Sequence, residues 1–372
     1  MKPVSIQSAT KSVDSKPRFA AAYRVLEDAI SAHAFPGCAF GVLANGEVVL
    51  QDALGRFTYD DASPAVAPDT VYDVASITKV VATTAAAMLL YQRGQLDLET
   101  PLGDLLPGFV AGRAPDDLAR RVTLRHLLAH NSGLPGYVEF FRTLPNADAL
   151  SQALLKLPLE AAPGTRAEYS DPGFMLLGKA LEARMKEPFA AWVHREVLRP
   201  LGMTATGFLP PPADRSSIPP TEEDTWFRHR RIQGEVQDEN AWLLNGVAGH
   251  AGLFSNIPDL LRFGEAILAA NERDGKTPLF EPATVRQFAQ KQGPAGSSWA
   301  LGWDTPSGES MSGHRFSAHT IGHLAFSGCS LWIDLEDRVA VALLTNRTWP
   351  DRRSQPIRKA RPAFHDAVRD AL

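Results

Sequence analysis

The chain has 372 residues, of which 44% are hydrophobic and 22% are charged, and its formal net charge is -4. This length exceeds what one hydrophobic core usually fills, so we expect two lobes. The charge excludes a strongly basic protein and gives no electrostatic reason to expect a nucleic acid or an anionic membrane as partner.

The N-terminal residues 1–16 are polar and lack the apolar run of a signal peptide. We expect a disordered leader there and a cytoplasmic protein as the sequence stands, or a periplasmic or secreted one if a leader was removed. The longest apolar stretch, Val80–Leu90, contains two threonines and is too short to span a bilayer. The sequence therefore predicts no membrane span.

The first two thirds of the chain predict a helix, a hairpin, and then mainly helices. An Asn-Gly pair at 45–46 between β-rich runs is typical of a tight hairpin turn. Residues 209–245 show little periodicity and are expected to form a long ordered excursion. The predicted elements are a helix over Ala20–His33, strands over Pro36–Leu43, Glu47–Gln51 and Val71–Val74, and helices over Ile77–Arg93, Thr123–Ala129, Ala147–Leu155, Pro172–Lys186 and Phe189–Leu198.

The last third returns to strands. Ser255 is expected to cap a helix that runs through Ala270, and a final helix covers 356–371. Between them lie two β-rich runs, His319–Asp334 and Arg338–Asn346. Strands at both ends and helices in the middle predict an α/β (α+β) fold, with a sheet assembled from both termini and an inserted helical lobe. We expect residues 17–75 and 245–372 in the α/β lobe, and residues 76–244 in the helical lobe.

A candidate nucleophile lies at Ser76-Ile77-Thr78-Lys79. Ser-x-x-Lys is a weak pattern alone, since Ser8 and Lys11 show it in the unpatterned N-terminus. Ser76, however, follows a short strand and opens a long helix, where residues three apart share a face. Burial and the positive helix end are expected to lower the pKa of Lys79, as a base at neutral pH requires. On spacing alone, Ser76 could equally cap the helix, with its lysine on the surface.

Two further segments bring proton-carrying side chains. The turn-rich segment 163–173 carries Tyr169, whose phenol could share with a lysine the task of accepting the serine proton. The segment from 322 to 334 carries His323, expected as a basic side chain on an edge-like strand, where a nearby backbone N–H could face an oxyanion.

The remaining candidate side chains carry weaker patterns. His126 and His130 are spaced to share a helix face, but without a third ligand we expect packing rather than metal binding. His250 lies between small residues, where tight backbone packing is expected more than a place in the cleft. Cys38 and Cys329 are too few for a disulfide framework or a cysteine-rich zinc site; they could form one bridge, but we expect free buried thiols.

Taken together, these segments resemble the serine β-lactamase and penicillin-binding-protein superfamily, in its class C-like branch that includes family VIII carboxylesterases. The similar stretches lie in family order over about residues 20–370. They are Val74–Lys79, Leu127–Pro135, the Tyr169 loop, Leu198–Met203, Gly249–Ser255 and the strand from His323. The resemblance implies a β-lactamase/transpeptidase-like fold with the active site in the cleft between the lobes, and it implies no cofactor or metal.

The resemblance also assigns roles to individual residues. Ser76 matches the acylated serine, Lys79 its lysine partner, and Tyr169 the tyrosine of the Tyr-x-Asn element. His323 matches the first position of the Lys/His-Thr-Gly element, for which His319 is a rival. The oxyanion donors would be the backbone N–H groups of Ser76 and Phe326.

Two departures from the family pattern bear on the substrate. Asp171 replaces the Asn of Tyr-x-Asn, and Leu324-Ala325 replaces Thr-Gly. At these substrate-binding positions a carboxylate cannot donate as an amide does, and leucine removes a hydroxyl from an anion site. We therefore predict a serine hydrolase for a small ester or amide, most active on carboxylic esters and with weak or no activity on β-lactams. The alternatives are a class C-like β-lactamase, a DD-peptidase, or a non-catalytic binding protein of the same fold.

Overall fold

The computed structural model describes residues 16–270, 279–308 and 311–372, so all but the last residue of the expected leader lies outside the described residues. Five antiparallel strands form its main sheet in the order β2-β1-β10-β9-β8. These strands are β1 (Gly37–Ala44), β2 (Glu47–Gly55), β8 (Thr320–Leu324), β9 (Ser330–Asp334) and β10 (Val339–Thr345). The N-terminal strands pair with the C-terminal ones, as predicted, because β1 lies between β2 and β10.

The turn between β1 and β2 explains why these residues form a hairpin. Asn45 and Gly46 both adopt positive φ, at 51° and 81°. Two successive left-handed residues match the twist of antiparallel strands, and Asn-Gly is the pair that adopts them most readily. The predicted hairpin is confirmed.

Helices cover both faces of the main sheet. Helices α1 (Ala20–Ser31) and α11 (Ile357–Asp370) pack together on one face, where Phe40, Val341 and Phe364 are fully buried. Helix α9 (Ile257–Ala269) packs on the other face against β1 and β10. It approaches so closely that a Cβ at Gly41 would lie 2.4 Å from the side chain of Ile257.

The other elements form the helical region and two small sheets. The helices are α2 (Ala85–Gln92), α3 (Leu102–Leu105), α4 (Leu124–Leu128), α5 (Ala147–Leu155), α6 (Asp171–Met185), α7 (Phe189–Val193), α8 (Glu239–Leu243) and α10 (Pro282–Ala289). The short strands are β3 (Tyr72–Asp73), β4 (Gly207–Phe208), β5 (Glu222–Asp224), β6 (Arg230–Ile232) and β7 (Leu253–Ser255). Strand β7 pairs with β3 and β4, and β5 pairs with β6. The expected lobe boundaries stay a prediction.

Two local predictions were wrong, and a third element forms with a different winding. The run His319–Asp334 is two strands rather than one, because Ala325–Cys329 closes a turn in which Gly328 has a φ of 95°. Ser255 belongs to β7, and the side chain of Asn256 caps α9 instead. The helix over Ile77–Arg93 does form, but Lys79–Thr84 is wound as a π-helix before α2 continues it.

Two expectations about the whole chain can also be compared with the structure. Cys38 and Cys329 are free and buried, as predicted. Among the helices of the described ranges, none is long and apolar enough to cross a membrane.

Candidate active site

Ser76 lies at the junction between β3 and the helix that begins at Ile77. The preceding Ala75 has a φ of 42°, a left-handed conformation that costs energy for a residue with a Cβ. The buried carboxylate of Asp73 holds this turn, since it accepts hydrogen bonds from the backbone N–H groups of Ala75 and Gln237. Burial raises the pKa of Asp73 to about 6, although both hydrogen bonds lower it.

The hydroxyl of Ser76 meets two proton-carrying side chains. Lys79 Nζ donates to Ser76 Oγ over 3.0 Å, and the hydroxyl of Tyr169 donates to the same oxygen over 2.7 Å. The lysine reaches the serine because one helical turn separates them. The structure thus brings together the three residues that the sequence pattern singled out.

Lys79 is fully buried and makes two more hydrogen bonds. Its Nζ donates to Asp171 Oδ1 over 2.7 Å and to the backbone carbonyl of His250 over 3.2 Å. Burial by itself lowers the pKa of Lys79, but the charge and hydrogen bond of Asp171, with a smaller contribution from Tyr169, outweigh it and raise the pKa. The predicted lowering of this pKa was therefore wrong, because sequence reasoning did not provide the lysine with a carboxylate partner.

Asp171 occupies a different place from the one expected. It is the first residue of α6, whose N-cap is Ser170, and its carboxylate contacts Lys79. We expected it among the substrate-binding residues, on the analogy of the family's Asn. The Tyr-x-Asp spacing could have indicated the contact with Lys79, since residues two apart in an extended loop point to the same side and Tyr169 was already expected beside the lysine.

Tyr169 is packed between aromatic rings. Its ring stacks on Trp299 at a centroid distance of 5.5 Å and lies 4.8 Å from the ring of His130. Burial raises the pKa of Tyr169 to about 12, although Lys79 beside it acts in the opposite direction. Tyr169 is therefore a neutral phenol at neutral pH, which agrees with its donation to Ser76 Oγ.

His130 supports the site, and His126 is held by a separate hydrogen bond. Its Nδ1 accepts a hydrogen bond from the backbone N–H of Ser170 over 3.0 Å, while burial and Lys79 hold its pKa well below the usual value. His126 turns its Nδ1 to the backbone N–H of Thr123 and caps α4. The described part of the chain contains no cluster of three or more histidine, cysteine or acidic residues that could hold a metal.

His250 contacts Lys79 through its backbone. Its backbone carbonyl accepts from the lysine, and its Nε2 is 3.0 Å from Asp238 Oδ1. Burial raises the pKa of Asp238, but the neighbouring His250, with smaller contributions from the N–H of Ala241 and from Lys79, outweighs this and brings the pKa to about 2. The expected tight backbone packing is present at Gly249, where a Cβ would lie 2.3 Å from the carbonyl oxygen of Phe174.

His323 lies on β8, the edge strand, and is buried. Its ring is 5.8 Å from the rings of both Tyr169 and Trp299, and its Nδ1 is 2.6 Å from the carbonyl oxygen of Leu324. Burial, together with Lys79, lowers the pKa of His323 to about 3. The expected basic side chain is thus a neutral one, whereas the rival His319 is exposed and precedes the strand.

The predicted oxyanion donors are two backbone N–H groups. Neither the backbone N–H of Ser76 nor that of Phe326 donates a hydrogen bond within the described residues. Arg361 stabilises the loop that carries Phe326, because it donates to the carbonyls of Ala325 and Cys329 over 3.3 and 3.1 Å. Arg347 donates to the carbonyl of Phe326 over 2.6 Å. Sequence reasoning missed both arginines, since nothing in their spacing indicates the contact.

The other two predicted substrate-binding residues border this loop. Leu324 ends β8 and is partly exposed, and Ala325 is buried at the start of the turn. The ring of Phe326 is 49% exposed. Nothing at these positions supplies the hydroxyl that the family pattern has there.

Comparisons with known proteins identify the family and the fold of the whole chain. The family model described as Beta-lactamase matches residues 23–363. A Salmonella typhimurium protein named "Putative D-alanyl-D-alanine carboxypeptidase" is 30% identical over 344 residues, which are 84% of this chain and 79% of the relative.

Solved structures show the same fold. The structure of EstCE1, described as a hydrolase with promiscuous acyltransferase activity, matches 96% of this chain and 100% of its own with a TM-score of 0.76 at 22% identity. A penicillin-binding-protein homologue from Caulobacter crescentus matches 95% of this chain and 98% of its own, with a TM-score of 0.73 at 19% identity. The predicted fold class and family resemblance are confirmed: the chain belongs to the beta-lactamase family of serine hydrolases.

Proposed function

We propose that the protein hydrolyses small carboxylic esters through an acyl-enzyme formed on Ser76. The observation that carries the proposal is the pair of hydrogen bonds that Lys79 and Tyr169 make to Ser76 Oγ. A serine hydroxyl becomes an effective nucleophile when a neighbouring group takes its proton as the new bond forms. A protein that only binds has no need for this arrangement.

The reaction follows from these positions. Once Lys79 has lost a proton to solvent, Ser76 Oγ attacks the ester carbon while its own proton passes to the lysine amine, with Tyr169 beside both groups. The carbonyl oxygen becomes an oxyanion between the N–H groups of Ser76 and Phe326. The alcohol then leaves with a proton returned from the same pair, and water hydrolyses the acyl-enzyme.

Two side chains favour esters over β-lactams. The carboxylate of Asp171 is bound to Lys79 and has no N–H to offer a substrate amide. Leu324 cannot bind a substrate carboxylate as a threonine hydroxyl would, and a carboxylate that loses such a partner binds more weakly. An ester without a carboxylate loses nothing from either change.

The test compares the wild type with Ser76→Ala. We expect a fluorophosphonate probe to label only the wild type, and the wild type to hydrolyse short p-nitrophenyl esters much faster than nitrocefin. Equal labelling of both proteins would refute Ser76 as nucleophile and favour a binding protein. Nitrocefin turnover as fast as ester turnover would refute the preference for esters.

A D-alanyl-D-alanine carboxypeptidase is the second candidate, and the name of the 30% identical Salmonella relative favours it. It would use the same nucleophile and the same acyl-enzyme. Release of D-alanine from a peptide ending in D-Ala-D-Ala, at a rate above that of ester hydrolysis, would establish it in place of the esterase.

A further inference from the structure

We propose that Asp171 is a positioning residue that keeps Lys79 as an ammonium at neutral pH, so that acylation of Ser76 accelerates into the alkaline range. This inference rests on the proposed function, because it concerns how the same serine is activated. It concerns the one contact of the site that departs from the family's Tyr-x-Asn pattern.

The hydrogen bonds around Lys79 suit the charged form. An ammonium group has three donors and no acceptor. The Nζ atom donates to three oxygens, Ser76 Oγ at 3.0 Å, Asp171 Oδ1 at 2.7 Å and the carbonyl of His250 at 3.2 Å, and the hydroxyl of Tyr169 also interacts with it. Each donor has its own acceptor, and the shortest bond is to the carboxylate.

The groups that surround Lys79 identify Asp171 as the source of this preference. Tyr169 and the histidines His130 and His323 are neutral near pH 7, given the directions of their pKa shifts. The charge of Asp238 also acts on the site, but its carboxylate is paired with the ring of His250. Tyr137, which also lies near Asp171, has a pKa raised chiefly by burial and is neutral. Within the described residues, Asp171 is the carboxylate in direct contact with the amine.

The charged form cannot accept the serine proton, because an ammonium has no lone pair. Loss of one proton leaves a neutral amine that can still donate to Asp171 and to the His250 carbonyl, while its lone pair faces Ser76 Oγ. The hydroxyl proton then passes to Nζ as Oγ bonds to the substrate carbon. The pH at which Lys79 loses its proton therefore limits the rate.

The experiment measures how the rate of fluorophosphonate labelling depends on pH, in the full chain and in Asp171→Asn. In the wild type we expect the rate to keep rising above pH 8. Removal of the negative charge lowers the pKa of Lys79, so in Asp171→Asn the rising limb moves to lower pH. Since an opposite charge at this distance shifts a pKa by about one to three units, labelling at pH 7.5 becomes at least about tenfold faster. Asp61→Asn, which makes the same charge change on an exposed residue, should keep the wild-type profile.

Each outcome decides the matter. A wild-type rate that reaches its plateau below pH 7, or a rising limb unchanged in Asp171→Asn, overturns the inference while the labelled serine still supports the proposed function. Absence of labelling in the wild type overturns the proposed function and the inference with it. Circular dichroism over the same pH range checks that both proteins are folded. If Asp171→Asn does not fold, the wild-type labelling profile alone tests the inference, through the pH at which its rate stops rising.

Discussion

The two sides of the candidate active site are built in opposite ways. On the helical side, Ser76 is surrounded by charged and hydrogen-bonded side chains, with Lys79 and Asp171 in contact. On the strand side, His323 is neutral and Phe326 offers a backbone N–H. Under the proposed function, proton transfer takes place on the helical side, and the oxyanion lies between the N–H of Ser76 on that side and the N–H of Phe326 on the strand side.

Positive charge is also placed differently on the two sides. On the helical side Lys79 contacts Ser76 Oγ directly, whereas Arg361 and Arg347 donate to carbonyls of the strand-side loop. A cation that binds a peptide carbonyl fixes the orientation of the N–H on the other side of that peptide. The strand side can thus favour an oxyanion without placing a titratable side chain against it.

The largest effect is expected from Lys79→Met on the helical side. Loss of the base should lower kcat for esters by about 10²–10⁴-fold, the usual contribution of general base catalysis. The carboxylate of Asp171 would lose its partner, so the midpoint of thermal unfolding should also fall.

The double variant Lys79→Met/Asp171→Asn separates these two effects. It removes the unpaired carboxylate and should recover most of the lost thermal stability, but none of the activity. Recovery of ester hydrolysis in the double variant would contradict the assignment of Lys79 as the base.

A smaller effect is expected from Arg361→Met on the strand side. Arg361 donates to the carbonyl of Ala325, which belongs to the same peptide group as the N–H of Phe326. Without it the oxyanion donor is less firmly oriented, and kcat should fall by about tenfold with KM nearly unchanged. This is less than the 10²–10³-fold typical of deleting a donor outright.

Arg358→Met serves as the matched control for Arg361→Met, since Arg358 is exposed on the same helix. It should leave kcat and KM at wild-type values. A loss of kcat in both variants, or a change in KM alone for Arg361→Met, would show that the arginine acts on the stability of the helix or on substrate binding instead.

What the sequence could predict differs between the two sides. The spacing of Ser76 and Lys79 is local, so helix geometry alone places their side chains together. Tyr169 lies 93 positions from Ser76, so its chemistry made it a candidate, and the family resemblance was needed to indicate that the two meet. The fold class followed from the order of strands and helices, which is a property of the whole chain.

The predictions that failed depend on contacts between distant segments. The pKa of Lys79 could not be judged without knowing that a carboxylate reaches it across 92 positions. Arg361 gives no local signal, because its helix is amphipathic with or without a contact to the loop. The predicted strand is split at 325–329 by a turn. Backbone hydrogen bonds between Ala325, Gly328 and Cys329 form that turn, and the sequence pattern does not show them.

The smallest effect is expected from His323→Asn. Burial, with Lys79 nearby, holds the pKa of His323 at about 3, well below the value of about 6.5 usual for histidine, so the ring carries no charge at any pH above about 5. The asparagine amide can replace the hydrogen bond to the Leu324 carbonyl. We expect kcat/KM for esters to change by less than about tenfold and its pH dependence between pH 5 and 8 to match the wild type. If instead the wild type shows an ionisation near pH 6.5 that His323→Asn abolishes, then this histidine acts as a cation, and the contrast between a charged helical side and a neutral strand side is wrong.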